Sequence, residues 1–200
     1  MDDDDRIATD DAYRAVGRYV VSFSQLIPYM RLTMADRLMQ PGDGIGLSEL
    51  AFGESTAGQI CNSFFAMCRE VGNFDDDETT VARLLQNRVN AEITRRNDIT
   101  HGDWWVGGTV PVPTLVRVKP ARATAPRRLN HWTPADLDAA SETVAQLAQT
   151  VTEFGQIAMR LHMRRPHGRR VQVRDVYCLD KKKKTVLRAG PKASTISYSG

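Results

Sequence analysis

Apolar side chains recur at three- and four-residue steps in four stretches of this chain, the spacing that lines one face of an α-helix. In residues 10–38 the series is Tyr13, Val16, Tyr19, Val20, Phe23, Leu26, Ile27, Met30, Met34 and Leu38. It predicts one amphipathic helix with a broad buried stripe. Pro28 falls inside it and is expected to kink or break it, because proline has no N–H for the helical ladder. Pro41 to Gly46 reads as a loop. A second helix is predicted from Thr56, whose spacing to Gln59 is that of a capping box. Its face is Ile60, Cys61, Phe64, Phe65, Met67, Cys68 and Val71, and Gly72-Asn73 closes it.

The third helix follows the acidic cluster Asp75 to Glu78, whose charges suit a helix N-terminus. Val81, Leu84, Leu85, Val89 and Ile93 line it, and it stops near Gly102. The fourth opens with Thr133 as cap, Pro134 at the first helical position and Asp136 three residues after the cap. Leu137, Ala140, Val144, Leu147, Val151, Phe154, Ala158 and Leu161 form its apolar face before Pro166-His167-Gly168 ends it. Between the third and fourth helices the period breaks. Leu115 to Lys119 alternates like a short strand, which Pro111, Pro113 and Pro120 confine to an edge. The expected fold is therefore all-α: an antiparallel helical bundle of about four main helices with a short β-hairpin-like insert near residues 109–120. Residues 1–9 read as an acidic tail, 10–163 as the helical domain and 164–200 as a basic tail with the composition of a disordered segment.

Composition adds little until charge is divided along the chain. The net charge is +3, but residues 164–200 hold eleven Lys and Arg against two Asp, a net of +9, which leaves −6 for residues 1–163. A tail of that kind is either a solvated segment or an arm for phosphates, with Lys181, Lys182, Lys183 and Lys184 as its densest run. No apolar run approaches the ~20 residues that span a bilayer. The start Asp2 to Asp5 is the opposite of a basic signal-peptide start, so a cytoplasmic location is expected. Three cysteines without a Cys-x-x-Cys pair indicate neither a disulfide framework nor a zinc site, and no cofactor is expected.

The sharpest chemical feature is the run Arg96-Asn97-Asp98-Ile99-Thr100-His101-Gly102 at the end of the third helix. Asn97 and His101, four apart, share a face, while Arg96 and His101 diverge by roughly 140°. Arg96 falls inside the stripe of Leu85, Val89 and Ile99, where a guanidinium must be paired or must meet a partner surface. The plain reading is a helix stop: basic side chains near a C-terminus complement the dipole, and glycine commonly follows.

The same run resembles the signature of the HEPN superfamily, an Arg followed by four to six residues and a His at a helix end, often with a polar residue after the Arg. The helical order over roughly residues 10–163 also resembles that family. The resemblance implies a homodimer in which two copies of the motif face each other across a cleft. It further implies a metal-independent endoribonuclease of a toxin–antitoxin, abortive-infection or antiviral system, with RNA as substrate and an antitoxin protein as a further partner. Other members only bind RNA or nucleotides. On the matching positions, Arg96 would stabilise charge on the phosphate, His101 would act as acid or base, and Asn97 would orient His101 or hold a phosphate oxygen. Arg95 and Asp98 are adjacent candidates, Arg95 as an RNA contact. These residue types suit the chemistry: histidine titrates near neutrality, and arginine offers a planar fork to phosphoryl oxygens. A non-catalytic HEPN-like binding module and a purely structural helical dimerisation domain are the competing readings. Trp104 and Trp105 can stack a base or close a core. His131 and His162 read as cap or surface residues, and Gly42 to Gly46 lacks the lysine and strand of a phosphate loop.

Overall fold

The computed structural model describes residues 3–38, 52–105, 114–116, 129–130, 132–159, 172–180 and 185–188. Four substantial helices carry the fold: α1 (Asp3–Leu38), α2 (Ala57–Gly72), α3 (Asp76–Thr100) and α4 (Pro134–Ala158). A single turn, α5 (Val173–Val176), follows. The protein is an all-α helical bundle with small β additions. Strands β1 (Asp103–Trp105), β2 (Thr114–Val116) and β3 (Leu129–Asn130) form an antiparallel sheet in that order. β4 (Tyr177–Asp180) and β5 (Thr185–Arg188) form a separate hairpin, with Asp180 paired to Thr185.

The chain divides into two compact units. The first is residues 1–26 with 91–148, the second 27–90 with 149–200. α1 and α4 begin in the first unit and end in the second, and α3 runs the other way. In the first unit the buried positions include Ala12, Ala15, Tyr19, Phe23 and Leu26 of α1, Glu92 and Ile99 of α3, and Leu137, Ala140, Val144 and Leu147 of α4. In the second, Phe64, Phe65, Phe74, Phe154 and Tyr177 form a chain of rings with centroids 5.1–6.0 Å apart. Gly155 makes room for this cluster. A Cβ there would sit 2.5 Å from the Phe64 ring and 3.0 Å from the Thr33 methyl.

The helix starts are set by local hydrogen bonds. Thr56 accepts from the Gln59 N–H at 3.3 Å while Gln59 accepts from the Thr56 N–H at 2.8 Å. Thr133 and Asp136 make the same reciprocal pair at 3.1 and 3.0 Å, and Asp75 and Glu78 at 2.8 and 3.1 Å. α2 ends on Asn73 in the left-handed region, with φ 50°, which asparagine tolerates better than most residues.

Several expectations change. α1 begins at Asp3, not near residue 10, and its first turn is acidic, as the dipole favours. It stays helical through Pro28. Pro28 and Ser24 are both exposed, so the carbonyl that loses its donor can be hydrated, while Leu26, Ile27 and Met30 hold the other side by burial. Tyr13 and Leu38 are exposed rather than part of the stripe, and the small Ala12 and Ala15 are buried instead. The strand at 114–116 pairs with Asp103–Trp105 and with Leu129–Asn130, so the insert is a three-stranded sheet rather than a hairpin near 109–120. α4 ends at Ala158, and Leu161, Pro166 and the Gly42–Gly46 loop lie outside the described residues. The folded part also reaches beyond residue 163. Val173 and Tyr177 are buried in the second unit, and the Tyr177 hydroxyl lies 3.0 Å from Glu153 Oε2 and 3.3 Å from the Thr150 carbonyl.

Candidate functional site

The motif occupies the last turn of α3 and the two residues beyond it. Arg96 is half-buried, as expected of a long cation within an apolar stripe, and Asn97 and His101 are exposed. Arg96 Nη1 donates to Asn97 Oδ1 at 3.3 Å. The His101 N–H donates to the Asn97 carbonyl at 3.1 Å, continuing the helical ladder for one residue past Thr100. The Thr100 hydroxyl donates to the Arg96 carbonyl at 2.9 Å. The side chains of Arg96 and Asn97 are thus joined directly, and His101 follows one turn later on the Asn97 face.

Arg95 is turned to a different task. Its Nη1 lies 2.8 and 3.0 Å from the two carboxylate oxygens of Glu92, a residue 1 % exposed. Its guanidinium carbon stands 5.3 Å from the Trp132 ring centroid, within cation–π range. The Tyr19 hydroxyl donates to Glu92 Oε2 at 3.2 Å. Burial pushes the Tyr19 pKa up beyond its usual range, and the negative charge of Glu92 adds to this while Arg95 and Arg96 oppose it. The Trp132 indole N–H is buried without an acceptor among the described residues.

This Tyr19–Glu92–Arg95–Trp132 cluster is not among the candidates drawn from sequence. Its signal was present. Glu92 lies on the same stripe as Val89 and Arg96, and a carboxylate there, three residues before Arg95 and four before Arg96, announces a buried ion pair.

The remaining candidates are dispersed. Trp104 and Trp105 lie on β1, paired in register with Leu115 and Thr114. Lys181, Lys182, Lys183 and Lys184, like His131 and His162, lie outside the described residues, the four lysines between the paired ends of β4 and β5. Cys61 and Cys68 are buried, and burial pushes the Cys61 thiol up to about 12 and that of Cys68 further, so neither is a nucleophile at neutral pH. Among the described residues no group of three or more His, Cys, Asp or Glu side chains gathers as metal ligands would. A pocket of about 420 Å³ in the second unit is lined by Asn73, Asp75, Glu78, Gln172 and Arg174, and no motif residue reaches it. There the Glu78 carboxylate accepts from the backbone N–H groups of Asp75 and Arg174, so its polar groups serve to hold α5 against α3.

No family model, no curated protein and no solved structure matches the chain. No helix among the described residues is long and apolar enough to cross a membrane. The functional reading therefore stands on the motif and its surroundings.

Proposed function

We propose that the protein is a metal-independent endoribonuclease of the HEPN type, acting in a cytoplasmic toxin or defence system. The observation that carries this reading is the helix end itself: Arg96 and Asn97 joined side chain to side chain, with His101 exposed one turn further on. In this reading His101 takes the proton from the ribose 2′-OH as that oxygen attacks the adjacent phosphorus, and Arg96 stabilises the charge that develops on the phosphoryl oxygens. Asn97 holds Arg96 in position. The leaving 5′-oxygen takes a proton from a second acid, which the family resemblance assigns to His101 of a second copy. An antitoxin protein would then act by covering this helix end.

The test is cleavage of a labelled RNA in EDTA. Activity should persist, with products ending in 2′,3′-cyclic phosphate or 3′-phosphate. Arg96→Ala and His101→Ala should each lose about 10²-fold or more, and Asn97→Ala less. A folded His101→Ala variant that cleaves like the parent, or a strict Mg²⁺ requirement with 5′-phosphate products, overturns the assignment.

The structural reading, in which the run is only a helix stop within an interaction domain, is favoured by one observation. The buried Glu92 carboxylate at this end of α3 is paired with a half-buried Arg95 that is backed by an aromatic ring, as in a scaffold. It leads to the opposite outcome: no cleavage by the folded parent protein.

A further inference from the structure

Among the residues whose side-chain burial the structure describes, every exposed large apolar side chain belongs to one helix: Ile7, Tyr13, Val21, Tyr29, Leu32 and Leu38 all lie on α1. Singly exposed apolar residues are ordinary, but a row of them on one helix face marks a surface that is covered in use. Rotation by 100° per residue places Arg14, Val21, Gln25, Tyr29, Leu32 and Asp36 within an arc of about 80°. That arc lies about 110° around the helix from the buried face at Tyr19 and Leu26. Ile7 extends it, while Tyr13 and Leu38 lie off it. Val21 is 61 % exposed, Tyr29 43 % and Leu32 37 %.

The order of residues along this arc identifies the occupant. From Gln25, the apolar Val21 lies four residues back and the apolar Tyr29 four residues on. Arg14 lies eleven back and Asp36 eleven on. An antiparallel pair of α1 helices related by a two-fold axis at Gln25 therefore sets Val21 of each copy on Tyr29 of the other, and Arg14 of each on Asp36 of the other. Leu32 meets the stem of Arg18, whose charged end is already held by Asp138 at 2.8 and 2.9 Å. Arg14 also lies 3.4 Å from Asp11 of its own helix, both groups exposed, and across the two-fold the Val21–Tyr29 and Arg14–Asp36 pairs match apolar to apolar and cation to anion, which is the requirement of a two-fold interface. The segment from Arg14 to Asp36 is about 33 Å long, and with Arg18 included its residues recur at steps of three or four, the rows through which packed helices interdigitate.

We infer that the outer face of α1 is a docking surface for a second copy of this chain, paired antiparallel about Gln25. The inference does not rest on the endoribonuclease reading. Tyr19 reaches Glu92 from another face of α1, so the docking arc and the contact with α3 are separate faces of that helix.

The test is a cysteine placed on the axis. In a Cys178→Ser background the two remaining cysteines are buried, and Gln25→Cys should give a disulfide-linked dimer on mild oxidation at micromolar concentration. Ser24→Cys, exposed but turned by about 100°, should not. In the parent protein, light scattering should show self-association. Val21→Asp with Leu32→Asp should raise its dissociation constant roughly tenfold or more. Arg14→Asp should weaken it, and adding Asp36→Arg should restore it. A monomeric parent protein, equal cross-linking at positions 24 and 25, or an Arg14→Asp/Asp36→Arg variant weaker than Arg14→Asp alone overturns the inference. A monomeric parent protein would count against both readings, whereas cross-linking at position 25 and the Arg14/Asp36 exchange report on this face alone, so failure there is separate from failure of the catalytic assignment.

Discussion

Glu92 is the residue on which the first unit's polar interior depends. A carboxylate removed from water costs several kcal/mol unless partners replace the hydration. Here Arg95 supplies a charge and Tyr19 a hydroxyl. Arg95 itself remains 32 % exposed, so its side of the pair is screened and contributes less than a sealed ion pair would. Glu92→Gln keeps the volume and an acceptor for Tyr19 while removing the charge. It should lower stability by about 1–3 kcal/mol, read as a lower urea midpoint at unchanged slope. An unchanged midpoint would show that the pair does not hold the unit together. Tyr19 carries a pH signature. Its folded pKa is raised, so its contribution is complete below the unfolded value near 10 and is lost as pH rises from there through the folded value. The parent protein should therefore lose stability between neutral pH and the alkaline range more steeply than Tyr19→Phe. Parallel curves for the two would remove the proposed burial of the neutral phenol as the cause.

At the scale of elements, caps and close approaches decide where helices begin and how near they come. The Asp136 carboxyl is held below the usual carboxylate range by the Thr133 backbone N–H first and the Thr133 hydroxyl second. Its stabilisation of the α4 start is present above the ordinary carboxylate pKa of about 4 and lost as pH falls through the lower, folded value. Thr133→Ala should cost about 1 kcal/mol at neutral pH, and the cost should shrink in acid. A penalty independent of pH would place the effect elsewhere. Gly155→Ala should cost about 1–3 kcal/mol by overpacking, because the Cβ meets a fully buried Phe64 ring. Thermal melts of the pair test this, and an unchanged midpoint would mean the ring moves freely.

These same elements mark what is legible in the chain. The caps at Thr56 and Thr133 and the stripes of α2 and α4 are readable because they are local: a side chain meets a backbone group three residues away, or recurs on one face. Pro28 reads as a kink or break because its effect on the ladder is local too, but burial on the far side of α1 overrides it. The pairing of β1 with β2 and β3, and the burial of Val173 and Tyr177, depend on residues far apart in the chain, which no local period encodes. The motif is legible as residue types, whereas the Glu92–Arg95–Trp132 cluster requires the fold to bring Trp132 to α3.

For the whole molecule the separation of charge is the dominant feature, with −6 on residues 1–163 and +9 after them. Part of the basic segment is used internally. The Arg174 N–H donates to the buried Glu78 at 3.0 Å, and the Arg174 guanidinium lies 3.7 Å from Asp75. These bonds are made at the acidic start of α3. Deleting the segment is consequently a poor test of RNA binding, because Val173 and Tyr177 are core residues of the second unit and their loss would unfold it. Substitution of Lys181, Lys182, Lys183 and Lys184 by serine leaves the paired strands β4 and β5 in place and removes only charge. If these lysines bind RNA phosphates, affinity should fall, and the slope of log K against log salt should flatten by about 0.7 for each phosphate no longer neutralised, up to about 3 for all four lysines. Turnover at saturating RNA should persist, since Arg96 and His101 are untouched. An unchanged salt slope in the folded serine variant would assign the four lysines to solvation alone and leave phosphate binding to the end of α3.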